Sequence, residues 1–424
     1  MLPSNVRDDF PLLARTVRNG KPLVYLDSGA TAQKPRVVLD AEREFNERHN
    51  GAVARGAHLL AEEATGLFED ARAVVADFVG ADAGEIVWSQ NATSALNIVA
   101  AAIGNATAGV GGAEGARFRI GPGDEICVTE AEHHANLVPW QQLAVRTGAT
   151  LRWIPVDDEG RLDLDHLDTV VTERTKVLAF THVSNITGVI SPVSTLVERA
   201  KAVGALTVLD GCQSVPHLPV DVKQLDVDFM AFSGHKMLGP TGIGALYGRN
   251  DLLDALPPAT FGGGAVKTVT MEDTSWQEAP MRHEPGTQPV AQAVGMAAAA
   301  HYLAQIGMDQ VEEHERALAA VLREGVSQIP GVRLLGPVGD ADSRDVIAIA
   351  AVSVDGVHPH DVGQVLDDRG IAARVGHHCG QPLHRRFGVT GSTRASAHVY
   401  TTVEEAQAFV DVLATVPEFF GVRA

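Results

Sequence analysis

Between about Leu23 and Phe261, short apolar runs recur with helix-like stretches between them: Glu85–Ser89, Glu125–Thr129, Val177–Thr181, Thr207–Asp210 and Val227–Phe232. Nearly continuous apolar strands alternating with helices predict an open, mostly parallel sheet covered on both faces. Ser191-Pro192 predicts a helix start, with a capping hydroxyl and a proline where a missing N–H does no harm, and Gly204 closes that helix. Gly104 to Gly123, rich in Gly and Ala with little periodicity, reads as a surface insertion between sheet elements. A long helical stretch, Val290 to Ile306, leads into a different pattern: a helix around Met308 to Gln328, a strand around Val346 to Val354, and a helix from His360 to Asp368 ending at Gly370. The expected division is an N-terminal segment, 1–24, packing with the small domain, a large domain, 25–300, and a smaller α+β domain, 301–424.

Ligands of parallel sheets collect at the carboxyl ends of the strands. Asp210, the Asn91-Ala92-Thr93-Ser94 turn, Glu132-His133-His134 and Lys236 all follow strand ends, so four segments are expected at one mouth. A net charge of −19 argues against a nucleic-acid surface. Cys127, Cys212 and Cys379 include no Cys-x-x-Cys, so neither a disulfide framework nor an all-cysteine zinc site is supported, and no metal is expected. With no apolar run of the roughly 20 residues a membrane span needs and no signal-like N-terminus, the chain reads as soluble and cytoplasmic, with no membrane partner.

Ser233-Gly234-His235-Lys236 ends one strand-like run and Asp210 ends another. A lysine amine that condenses with an aldehyde, and an acid that keeps a pyridine nitrogen protonated, are what pyridoxal phosphate chemistry requires. Asn91 to Asn97 either receives the phosphate at a helix N-terminus or is an ordinary helix cap, and Ser233 and His235 offer further donors. One of His133 and His134 could stack on the pyridine face and exchange protons at neutral pH, and Gln213 could donate to the phenolic oxygen. Cys127 and Cys212 read as small buried fillers. In Arg374-Val375-Gly376-His377-His378-Cys379-Gly380, one arginine and two histidines supply a positive field that favours a thiolate at Cys379. Arg394 offers a fork for a substrate carboxylate, or else a surface salt bridge.

From Tyr25-Leu26-Asp27-Ser28-Gly29-Ala30-Thr31 to Arg394-Ala395-Ser396 these segments resemble the cysteine desulfurases of the SufS group (group II), within the class V aminotransferase family. The resemblance implies the fold type I, aspartate aminotransferase-like architecture: a mostly parallel seven-stranded sheet with a smaller α+β domain. It implies that Lys236 is the Schiff-base lysine, that Asp210 pairs with the pyridine nitrogen and Gln213 with the phenolic oxygen, and that His133 stacks on the ring. Thr93, Ser233 and His235 would hold the phosphate, with Thr287 lent by the other subunit of a homodimer. Asn185 and Arg394 would bind the carboxylate of L-cysteine, Arg374 would stand beside the loop, and Cys379 would take the sulfur as L-alanine leaves. The sulfur would pass to a SufU-like or SufE-like acceptor and an iron–sulfur scaffold. His360, in His358-Pro359-His360-Asp361, matches the histidine that takes over a zinc position on a SufU-type partner; its plain alternative is a helix-start surface residue. Ala54, Ser94 and Thr401 depart from the pattern, where His, Glu and Asn are frequent. Rival readings are a selenocysteine lyase or another class V enzyme, and a catalytically silent regulator of a sulfur-transfer complex.

Overall fold

The apolar runs become five strands of one seven-stranded sheet in the computed structural model, which describes residues 2–54, 56–338 and 345–422. Its strands are β1 (Ile86–Ser89), β2 (Glu125–Thr129), β3 (Thr150–Ile154), β4 (Thr175–Thr181), β5 (Leu206–Asp210), β6 (Phe229–Ser233) and β7 (Gly244–Gly248), in the order β1-β7-β6-β5-β4-β2-β3. Only β7 runs antiparallel to its neighbours β1 and β6. The fold is therefore α/β with a mostly parallel sheet. Successive strand residues serve opposite faces: Val208 and Phe229 join a core with helices Ala92–Thr107 and Val138–Thr147. Leu209 and Met230 face the other core, with helices Leu59–Phe78, Val193–Val203 and Val290–Ile306. The parallel register sets Thr181 beside Asp210 and Asp210 beside Ala231, so the strand ends lie level at one mouth.

A second sheet, β8 (Val332–Leu335), β9 (Ile349–Val354), β10 (Arg374–Gly376) and β11 (Ser392–Ser396), is antiparallel in the order β8-β9-β11-β10. Its core is completed by helices Met308–Ser327, Pro359–Asp368 and Val403–Phe419. Gly307, at φ 91°, breaks Val290–Ile306 from Met308–Ser327. The N-terminus is tied to this sheet's side of the molecule: Val24–Tyr25 pairs in parallel with Ile371–Ala372, Arg7 bridges to Glu405, and Phe10 packs edge-on against Tyr400.

Three local readings are corrected. Ser191 does not cap Val193–Val203; its hydroxyl donates to the Thr181 carbonyl at 2.7 Å, tying the helix entry to the end of β4. Gly104–Thr107 belongs to helix Ala92–Thr107, and Ala106, Phe118 and Ile120 are buried, so the Gly/Ala-rich stretch is partly core. The strand expected from Val346 begins at Ile349, with Val346 making only an isolated bridge to Val189. Among the described residues no single helix is long and apolar enough to cross a membrane.

Candidate active site

Lys236 ends a single 3₁₀ turn, Gly234–Lys236, directly after β6, and Asp210 is the last residue of the adjacent β5. Both line a cavity of 380 Å³ at the strand ends, together with Thr93, His133, Asn185, Gln213, Ser233, His235, Arg374, Cys379 and Arg394. Asp210 is buried and its Oδ1 accepts the Cys212 N–H at 3.0 Å. Burial raises its pKa, and the Lys236 ammonium opposes that rise.

At the helix start, Asn91 Oδ1 accepts the Ser94 N–H at 2.9 Å, the ordinary cap reading, while Ser233 Oγ accepts the Ala92 N–H at 2.9 Å. Thr93 stands exposed beside them at the cavity wall. A side chain at Gly244 would put its Cβ 2.6 Å from the Asn91 Cα, so only glycine lets β7 pass beneath this turn. His133 Nδ1 accepts the Ala135 N–H at 3.0 Å, which leaves the ring proton on Nε2. Burial, then the nearby Lys236 ammonium, pull its pKa down to about 3. The ring is therefore held as the neutral imidazole with its proton on Nε2. His134 faces elsewhere: its N–H donates to the Cys379 carbonyl at 2.7 Å and its Nε2 accepts the Gln381 N–H at 3.2 Å. Gln213 Nε2 donates to the Gly29 carbonyl at 3.0 Å, while its buried Oε1 has no partner.

Cys379 is exposed, and it and His378 take consecutive left-handed conformations, φ 57° and 48°. Asn185 Nδ2 holds that loop by donating to the His378 carbonyl at 2.7 Å. The buried His378 ring turns to the Ser392 hydroxyl at 2.9 Å, and burial, with Arg394 nearby, pulls its pKa to about 2. His378 thus carries no charge toward the thiol; the cationic side chains lining the cavity with Cys379 are Arg374, Arg394 and Lys236. Arg394 is fully buried, donates to the Asn185 carbonyl at 2.8 Å and keeps an unpartnered Nε. Cys127 is buried, whereas Cys212, read above as a buried filler, is partly exposed and lines the same cavity; burial pushes both thiols up to about 12.

Two residues were named in the sequence reading without a role. Asp27 stands between the arginines, 3.5 Å from Arg394 Nη2 and 3.9 Å from Arg374 Nη1. Buried Glu132 joins the ends of β2 and β4, accepting from Asn136 Nδ2 at 2.7 Å and the Thr181 N–H at 2.9 Å. Asp27 directly follows an apolar pair, Tyr25-Leu26, whereas Glu132 comes only after Glu130 and Ala131 past the end of β2. Two predicted residues lie outside the cavity. Thr287 lines a separate cavity of 510 Å³ with Trp88, Ser94 and Glu284. His360 is exposed at the start of helix Pro359–Asp368, its ring stacked on His358 at 5.4 Å.

A strand-end lysine, a buried carboxylate on the next strand, hydroxyls at a helix N-terminus and a glutamine amide whose Nε2 has a second N–H beyond the one given to Gly29 fit pyridoxal phosphate in chemistry. Fold and site together define a fold type I pyridoxal phosphate enzyme. Residues 24–409 match the Aminotransferase class-V family. The sequence is 55% identical over 422 residues, 99% of this chain and 97% of the relative, to a probable cysteine desulfurase 2 of Mycobacterium leprae. It is 50% identical over 417 residues, 98% of this chain and 97% of the relative, to a probable cysteine desulfurase of Streptomyces coelicolor. The apo structure of a cysteine desulfurase from Thermococcus onnurineus superposes with a TM-score of 0.90 at 37% identity, covering 99% of both chains. The chain belongs to the class V aminotransferase family, whose members depend on pyridoxal phosphate.

Proposed function

We propose that this protein is a pyridoxal phosphate-dependent cysteine desulfurase in which Cys379 takes sulfur from L-cysteine and L-alanine leaves. The observation that carries the reading is the exposed Cys379 at the wall of the same cavity as Lys236 and Asp210. Bound pyridoxal phosphate supplies an electron sink for the carbon bearing the substrate amine. Lys236 Nζ would hold the cofactor, and its amine, when free, would take the proton from that carbon. The Asp210 carboxylate would hold a proton at the ring nitrogen. Thr93, Ser233 and His235 would hold the phosphate, Gln213 would serve the phenolic oxygen, and His133 would stand beside the ring as a neutral imidazole. Arg394, with Asn185 and Arg374 beside it, receives the substrate carboxylate. The Cys379 thiolate then attacks the substrate sulfur: an S–S bond forms, the Cβ–S bond breaks with its electron pair left on Cβ, and protonation at Cβ and again at the amine-bearing carbon gives alanine.

The division near residue 300 would put Lys236 and Asp210 on the large domain and Cys379 and Arg394 on the small one, so the site closes between them. The persulfide passes to a SufU-like or SufE-like acceptor and supplies iron–sulfur assembly in the cytoplasm, a setting favoured by three unpaired cysteines. The exposed His360 is placed for such a partner, and the exposed Thr287 for the phosphate site of the second subunit in a homodimer. The test is alanine and sulfide release from L-cysteine with and without a thiol reductant. Alanine is expected in both, limited to about one per site without reductant, and sulfide only with it. Absence of alanine overturns the reading, and turnover of selenocysteine alone favours the lyase.

A further inference from the structure

Residues 397–401 pass between the two sheets, and a row of buried polar rings stands there that the chemistry above does not use. His398 Nδ1 accepts the Val399 N–H at 2.8 Å, so the ring proton sits on Nε2. Nε2–H then donates to the backbone carbonyl of Lys236 at 3.1 Å. Lys236 ends its 3₁₀ turn with no following helix to bond that carbonyl. The ring of His398 lies between His217, with centroids 4.7 Å apart, and Tyr400, stacked at 5.4 Å and 18°. His217 Nδ1–H donates to Glu315 Oε1 at 2.9 Å, and Glu315 Oε2 accepts the Ala348 N–H at 3.0 Å. The three side chains are 3%, 1% and 0% exposed for His217, Glu315 and His398.

The segment is fixed from its other sides as well. Thr401 Oγ1 accepts the His398 N–H at 3.0 Å, and the Thr401 carbonyl hydrogen bonds His314 Nε2 at 2.9 Å. The Tyr400 hydroxyl meets Ser28 Oγ at 2.8 Å. Glu315 and His314 belong to helix Met308–Ser327, the first after the Gly307 break, whereas His217 follows β5, the strand that ends in Asp210. A continuous set of hydrogen bonds and ring contacts thus runs from that helix through Glu315, His217 and His398 to the main chain of Lys236.

We propose that His398 is a positioning residue for Lys236 and that the Glu315–His217 pair holds His398 in place, seating the lysine against the small-domain helix. Burying a carboxylate and two imidazoles here costs more than an aliphatic cluster of the same volume would, so these groups do more than fill space. What they fix is the carbonyl, and with it the Cα–Cβ direction, of the residue whose amine must serve both cofactor and substrate carbon. Displacements well below 1 Å matter for such a group.

The inference rests on the assignment of Lys236 as the cofactor lysine. Its test uses the holoenzyme and three variants. His398→Phe keeps a ring and removes the donor, His398→Gln restores an N–H near the Nε2 position, and Glu315→Gln removes the charge that orients His217. The readouts are the pH midpoint of the lysine-bound cofactor's absorbance, kcat and KM for cysteine, and the melting temperature. His398→Phe is expected to move the midpoint and to lower kcat about tenfold, the scale of one lost hydrogen bond, with KM within about twofold. His398→Gln should recover most of both, and Glu315→Gln should move the midpoint in the same direction as His398→Phe. A wild-type midpoint and kcat in His398→Phe overturn the proposal, as does a kcat that tracks melting temperature alone without recovery in His398→Gln. Should His398→Phe fail to fold, Glu315→Gln is judged by the same criteria. A lysine-bound absorbance that persists in Lys236→Ala would instead overturn the assignment of Lys236 itself.

Discussion

Glu284→Ala should be among the most destabilising single changes outside the chemical site. Arg72 is 1% exposed, and its Nη1 and Nη2 donate to Glu284 Oε1 at 2.6 Å and Oε2 at 2.9 Å. The same Oε1 accepts the Trp88 N–H at 2.6 Å, and the guanidinium lies 5.1 Å from the Phe68 ring centroid. This pair anchors the base of the Glu284–Thr287 segment to β1, whose end leads into the Asn91 turn. Removing the carboxylate leaves Arg72 buried with only the half-exposed Glu69 as anionic partner, a loss of about 3–5 kcal/mol for a broken buried pair. Glu284→Gln keeps an acceptor for Trp88 and should lose less, about 1–3 kcal/mol. Urea unfolding followed by tryptophan fluorescence gives both values if the slope is unchanged. Arg72→Met with Glu284→Leu removes both charges together and should recover most of the loss. The reasoning is refuted if Glu284→Ala stays within about 1 kcal/mol of wild type, or if the double variant loses the sum of its single changes.

Three further outcomes are expected. A thiol reagent should label Cys379 alone in the native protein and all three cysteines after unfolding, because burial pushes the Cys127 and Cys212 thiols up to about 12; native labelling of either contradicts this. Burial alone would raise the pKa of Glu315, but the facing His217 holds it down to about 2 in the fold, against about 4.3 unfolded. The stability gap between wild type and Glu315→Gln should therefore be full above about pH 5 and close as pH falls toward 2; a gap that widens in acid is the contrary result. Mixing Lys236→Ala and Thr287→Ala protomers should put both defects in one site of the hybrid and leave the other intact, which a strictly monomeric active species in sedimentation would exclude.

The strands that carry the chemistry were legible because strands buried on both faces cannot hide their apolar character. Glu125–Thr129 appears with the expected bounds, and the ends of β4 and β5 fall where the sequence put them, at Thr181 and Asp210. The two strands that no apolar run announced had physical reasons to be silent. β3 is an edge strand with Thr150 and Trp153 exposed, and β7 is a short run bounded by Gly244 and Gly248. Residues with intrinsic reactivity, Lys236 and Cys379, stood out by type and by their neighbours. Asp27 and His398 did not, because their partners lie far off in the chain: Asp27 is 367 positions from Arg394, and His398 is 162 from Lys236 and well beyond any local motif from Glu315. Ser191 was misread for the same reason on a smaller scale, a local capping rule losing to a bond with the end of a neighbouring strand.

The central claim is that sulfur moves from the substrate to Cys379. After brief exposure of the holoenzyme to L-cysteine and trapping with an alkylating reagent, mass analysis should find one added sulfur on the peptide containing Cys379 and none on those containing Cys127 or Cys212. The Cys379→Ala variant should retain cofactor yet release almost no alanine. Added sulfur on Cys212 in place of Cys379, or alanine release by Cys379→Ala equal to wild type, would contradict the account.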